Sequence, residues 1–104
     1  MDLKQLSERA MDVREKYSIL EKSKYGREWT PGEIAQGFVG DVGDLMKLVM
    51  TKEGVRDLDD VDERLRHELS DCLWSLLVIA KKYDIDLEQS FLITMDELDR
   101  RFEV

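Results

Sequence analysis

The chain has 104 residues, of which 38% are charged and 42% hydrophobic, with six Gly, one Pro, one Cys and a formal net charge of -8. That length bounds it to a single domain with a modest core, and the composition points to a soluble, mostly helical protein. The acidic balance argues against non-specific binding to nucleic acid or to an anionic membrane, because both need a cationic surface; an anionic small substrate would have to arrive with metal ions.

The first helix is expected from about Leu3 to Lys24, where Leu6, Ala10, Val13, Tyr17 and Leu20 recur at helical spacing. The opening residues, MDLKQLSERA, carry no apolar stretch of the secretory kind, so a cytoplasmic location is expected. A loop from Tyr25 to Trp29 leads to Thr30-Pro31-Gly32-Glu33, which combines a capping box with Pro at the first helical position. The second helix continues to about Lys52 and stops near Gly54. Ile34, Phe38, Val42, Leu45 and Val49 give it a broad apolar arc, with Asp41 and Asp44 beside that arc. Gly37, Gly40 and Gly43 interrupt the same helix, each costing on the order of 1 kcal/mol against Ala. Either a facing helix or a ligand is therefore expected to approach this backbone closely.

Asp60 and Glu63 open a third helix that runs to about Tyr83. It is apolar almost all round from Cys72 to Ala80, which marks it as the most buried element, although that run is too short to cross a bilayer. Cys72 has no partner for an internal disulfide and reads as a small buried hydrophobe. Glu68 and Asp71 lie at the edge of the apolar arc, one turn before the buried stretch. Asp86-Leu87-Glu88-Gln89 starts the last helix, which reaches about Phe102. With no strand signal, repeat or long linker, the expected fold is one all-α, four-helix bundle-like domain over residues 1–104. Covering the third helix and the apolar faces of the other three is more than one chain of this size can do, so a homodimer or homotetramer is expected.

Residues three apart share a helix face. If the second and third helices pack together, Asp41, Asp44, Glu68 and Asp71 meet, and such a cluster is hard to keep ionised without a divalent cation. The same spacing at Asp12/Glu15, Asp60/Glu63 and Asp96/Asp99 reads as solvated faces and helix starts. Context separates the two chosen pairs. Four residues after their members come Leu45, Leu48, Cys72 and Ser75, none a cation, and only Lys47 and Arg64 are basic neighbours on the same helices. Such carboxylates need a partner elsewhere, either a metal ion or a buried salt-bridge network.

Oxygen-only ligands favour Mg²⁺, with Mn²⁺ as the alternative, over zinc, for which the chain offers only His67 and Cys72. His67 points about a quarter-turn away from Glu68 and reads as a surface residue or a support behind a ligand. There is no Gly-rich phosphate loop and no Ser-His-Asp or Cys-His arrangement. The chemistry left is metal-assisted hydrolysis of a phosphate bond, in which metals polarise the phosphoryl group, activate a water and neutralise the departing pyrophosphate.

The order GDVGDL, HELSDCLW, IAKKYDIDLEQSF and DELDRRF resembles the MazG-like nucleoside triphosphate pyrophosphohydrolases of the all-α type, whose pattern is roughly EExxE, ExxD, a D-L-containing turn and a terminal basic-aromatic segment. The resemblance covers about Trp29 to Phe102. It implies a helical bundle assembled from dimers or tetramers, and Mg²⁺-dependent cleavage of a (d)NTP to the monophosphate and pyrophosphate by water attack at the α-phosphorus. By this resemblance Asp41 and Asp44 stand for the second and third glutamates of the first motif, and Glu68 and Asp71 match the second motif; all four become metal ligands. Asp41 is the candidate base.

Two departures stand out. Gly40 occupies the place of the first glutamate, proposed in some members as the water-activating base, and it leaves room for the shorter Asp ligands to draw the metal inward. Glu97 sits where a terminal lysine is common. Lys47, Arg100 and Arg101 then become candidate substrate contacts, the two arginines reading equally as a cationic helix end. Trp29 either stacks on the base or anchors its loop. Two rivals to the enzyme remain: a relative without catalysis that acts as a metal- or nucleotide-binding or regulatory module, and a purely structural helical protein whose acids pair with Lys or Arg.

Overall fold

The structure is a computed structural model that describes residues 1–54 and 60–103. Four helices follow one another, α1 (Leu3–Tyr25), α2 (Pro31–Lys52), α3 (Val61–Lys82) and α4 (Leu87–Arg100), and there is no strand among the described residues. The fold is all-α, as the periodicity requires.

The helix ends follow local chemistry. Asp2 caps α1 and exchanges backbone hydrogen bonds with Gln5 in a capping box, and Gly26 ends the helix at φ 80°, a left-handed turn that glycine enters without steric cost. Thr30 and Glu33 form the expected box at the start of α2, with Pro31 at the first helical position. Arg27 grips the Glu33 carboxylate at 2.6 and 3.1 Å, which holds its pKa down at about 2. Asp86 caps α4 by accepting from the Gln89 N–H. Asp60 departs from expectation: at φ 57° its carboxylate makes no capping bond to α3. At the other end of α3, Asp84 adopts φ 54°, the Ile85 N–H donates to the Ala80 carbonyl and the Asp84 N–H to that of Lys81, a Schellman turn that releases the chain into α4.

α2 and α3 form an antiparallel hairpin, pinned at its closed end by Lys52 Nζ to Asp62 at 2.6 Å. α1 packs on α3. Ala10, Ile34, Leu77 and Val78 make the core, with Leu3, Met11, Trp74, Ile79 and Leu87 packed against it. The Trp74 indole N–H donates to the Ala10 carbonyl at 3.1 Å and the Trp74 ring meets Tyr17 edge-on at 6.0 Å. α3 is the most buried element, as expected, and carries Cys72, Ser75, Leu77, Val78 and Ala80 inside.

The buried face of α1 is not the expected apolar stripe. Leu6, Tyr17 and Leu20 are exposed, while Ala10, Arg14, Ser18 and Glu21 are inside. Arg14 binds Glu21 two turns on through two parallel hydrogen bonds, 3.0 and 2.5 Å, and Glu21 also accepts from the Trp29 N–H at 2.7 Å. A bidentate pair with its lone pairs occupied can be buried where either charge alone could not. The close approach expected at the α2 glycines is absent among the described residues: a Cβ at Gly37, Gly40 or Gly43 would meet nothing within 4 Å. No helix among the described residues is long and apolar enough to cross a membrane.

Candidate metal centre

Asp41 and Asp44 stand one turn apart on α2, and Glu68 lies opposite them on α3. The antiparallel hairpin brings the three together, so that one carboxylate oxygen from each lies within 4.8 Å of the others. Oxygens around a Mg²⁺-sized ion, bound at about 2.1 Å, sit roughly 3–4 Å apart. Small side-chain rotations would close the gap, so the donor set suits a hard divalent cation.

Glu68 shows the tension of this arrangement. Its Oε1 is buried without a hydrogen-bond partner. Burial pushes its carboxyl pKa up, the adjoining Asp41 carboxylate adds to the shift by favouring a shared proton and by repulsion, and Asp71 and Asp44 add their charges. Among the described residues no Lys or Arg forms an ion pair with Asp41, Asp44 or Glu68. The described residues therefore build no salt-bridge network there, the alternative partner to a metal ion. The Cys72 thiol beside the cluster is likewise raised, by burial first and then by Asp41, Glu68 and Asp71, which keeps it a thiol rather than a nucleophilic thiolate.

Asp71 falls outside the triad. It sits close enough to load charge onto Glu68, but its Oδ2 is 3.3 Å from His67 Nε2, one turn back on α3. The other Asp/Glu pairs at the same spacing are exposed on the surface.

Two clefts flank the triad. One, about 650 Å³, is walled by Tyr17, Tyr25, Trp29 and Trp74 and reaches Asp41 and Asp71. The other, about 560 Å³, carries Lys47, Arg64 and His67 beside Asp44 and Glu68. The first compartment is thus largely aromatic, while the second sets Lys47 and Arg64 among the acids Asp44, Asp60, Glu63 and Glu68; His67 lines both. Trp29 and Lys47 each line one of these compartments, whereas Arg100 and Arg101, at the end of α4, line neither. The sequence reading did not single out Tyr17, Trp74 or Arg64 as site residues. Tyr17 and Trp74 look like core positions along the chain, and only the crossing of α1 over α3 turns them into a cleft wall. Arg64 carried a signal, one turn before Glu68 on the same face.

No protein-family model, curated protein or solved structure matches this chain.

Proposed function

We propose that the protein is a Mg²⁺-dependent nucleotide pyrophosphohydrolase of the MazG-like kind, converting a (d)NTP to the monophosphate and pyrophosphate. The observation that carries this reading is the triad of Asp41, Asp44 and Glu68, converging without a cationic partner among the described residues and with one buried Glu68 oxygen unsatisfied. These three residues would hold the ion, with Asp71 as a fourth carboxylate once released from His67. When bound, a divalent ion supplies charge neutralisation and polarises the phosphoryl oxygens.

The chain's own residues divide the remaining work. Tyr17, Trp29 and Trp74 offer stacking surface for a base. Lys47 and Arg64 line the second compartment, where they would offset the charge of the β- and γ-phosphates. Asp41 reaches the aromatic compartment from within the triad and is the candidate to take a proton from the attacking water. Water oxygen bonds to the α-phosphorus, the α–β bridging bond breaks, pyrophosphate leaves, and the water proton passes to Asp41.

A second reading, a metal- and nucleotide-binding module without turnover, is favoured by Gly40. The family acid is missing there, and Gly40 lines neither cleft. Pyrophosphate release from a panel of (d)NTPs with Mg²⁺ or Mn²⁺ separates the two. Release that Glu68→Gln abolishes supports the enzyme. Metal and nucleotide binding with no release across the panel supports the module.

A further inference from the structure

Among the residues that line the aromatic cleft, Arg14 is the most deeply buried, at 2% exposure. Glu21 holds its guanidinium end-on, taking one N–H from Nη1 and one from Nη2. A guanidinium carries five N–H donors in a planar fork, so this pairing spares the side edge, where Nε–H lies parallel to the second N–H of Nη2. Nε is buried and has no hydrogen-bond partner among the described residues. A buried donor without an acceptor is costly, and native interiors seldom keep one without a use. The ion pair with Glu21 needs only the end of the fork, so fold stability does not account for the spare edge.

The cleft defines what can meet that edge. Its volume of about 650 Å³ suits a small ligand, and Tyr17, Tyr25, Trp29 and Trp74 offer faces to a planar ring. Asp41 and Asp71 also line it, and Glu21 already offsets the charge of Arg14, so an anionic group is disfavoured there. What fits is a neutral ring with two adjacent acceptors in its plane. Adenine sets an amino donor beside N7, and the O4 of thymine or uracil has no second acceptor next to it. Two kinds of base have the pair: 6-oxopurines at O6 and N7, the edge that an arginine fork reads in DNA, and cytosine at O2 and N3. The cytosine pair adjoins the glycosidic bond, which would draw the sugar toward Arg14 and away from Asp41. O6 and N7 lie on the far side of the purine from its sugar, leaving the sugar and phosphates to extend toward the triad. Tyr17 and Tyr25 are half or more exposed, so their rings can turn within nanoseconds as a base enters. Given the pyrophosphohydrolase reading, on which this rests, we infer that Arg14 reads the base in the aromatic cleft, its Nε–H and Nη2–H donating to N7 and O6, and that 6-oxopurine nucleotides are the preferred substrate class.

Pyrophosphate release by the full chain with Mg²⁺, compared across dGTP, dITP, 7-deaza-dGTP, dATP and dCTP, tests it. dITP keeps O6 and N7 and should match dGTP. 7-deaza-dGTP lacks only the N7 acceptor; it, dATP and dCTP should each fall at least about 10-fold in kcat/KM, the scale of one good bidentate base contact. Arg14→Lys, which keeps a cation for Glu21 but loses the fork, should level dGTP with dATP. The 7-deaza comparison on the unmodified protein decides the matter even if that variant does not fold. Release at similar rates from all of them, 7-deaza-dGTP as good as dGTP, or a preference for dCTP overturns the role of Arg14 and leaves the pyrophosphohydrolase standing. If none is turned over, the same order is read as Kd by titration calorimetry with Mg²⁺. Tighter binding of dGTP and dITP then supports the role of Arg14 in a binding module, and no binding of any overturns it together with the proposed function.

Discussion

Glu68 on α3 faces Asp41 on α2 with one of its oxygens buried and unpartnered, and burial together with the neighbouring Asp41 carboxylate makes Glu68 harder to ionise. Two acids set this way across a hairpin destabilise it unless a proton or a cation intervenes. Mg²⁺ or Mn²⁺ added to the EDTA-treated protein should therefore raise its melting temperature, by about 2.7 kcal/mol of stability at a hundredfold excess over Kd. Differential scanning fluorimetry across a metal titration reads this directly, and a flat response would remove the cation from the site.

Without metal, Glu68→Gln should melt at or above the wild-type temperature, because it removes a carboxylate whose charged form the fold disfavours. In the same variant the metal-induced rise should vanish. A Glu68→Gln protein that melts well below wild type in EDTA would show that the carboxylate holds the hairpin together in some other way.

The Arg14–Glu21 pair behaves oppositely. Arg14 is 2% exposed and both Glu21 oxygens are engaged, so Glu21→Ala strands a buried guanidinium and should cost about 3–5 kcal/mol in urea denaturation. The double variant Arg14→Met, Glu21→Leu should lose much less.

Arg14 holds the Glu21 pKa below its ordinary 4.5, with the Trp29 N–H adding to that shift. A depressed carboxylate contributes stability that is complete above 4.5 and drains away as pH falls through the lowered folded value. Wild type should thus lose stability below about pH 4.5 more steeply than the double variant; parallel pH profiles would show that the pair adds no such contribution.

If the protein turns over nucleotides, the two compartments should separate in kinetics. Trp29→Ala, which keeps the backbone N–H that Glu21 accepts, should chiefly raise KM by about 10- to 100-fold, the range of one lost stacking contact. Arg64→Ala should chiefly lower kcat, since charge builds on the leaving pyrophosphate in the transition state. Steady-state assays of both variants, with Lys47→Ala alongside, give the split; equal effects on both constants would argue against separate compartments.

Much of the architecture could be read along the chain because its signals are local. The Thr30–Glu33 box and the Asp86 cap depend on residues within one turn, and the structure has them in place. Reading failed where the deciding partner lies far off or offsets a charge. Arg14 and Glu21 look like a solvated face by hydropathy, yet bonded to each other they lie inside while Leu6, Tyr17 and Leu20 are exposed. Spacing alone also gave Asp71 the same standing as Asp44, because it carries no information on which rotamer reaches across a hairpin and which turns to His67.

The sequence by itself determined four helices, the caps at Thr30 and Asp86 and the candidate carboxylates, since periodicity and capping are properties of a few neighbouring residues. Only the tertiary structure decided which three acids converge and which aromatic rings wall the cleft beside them. Those depend on how α1, α2 and α3 pack across one another, and that is set by side-chain shape and charge pairing between residues far apart in the chain.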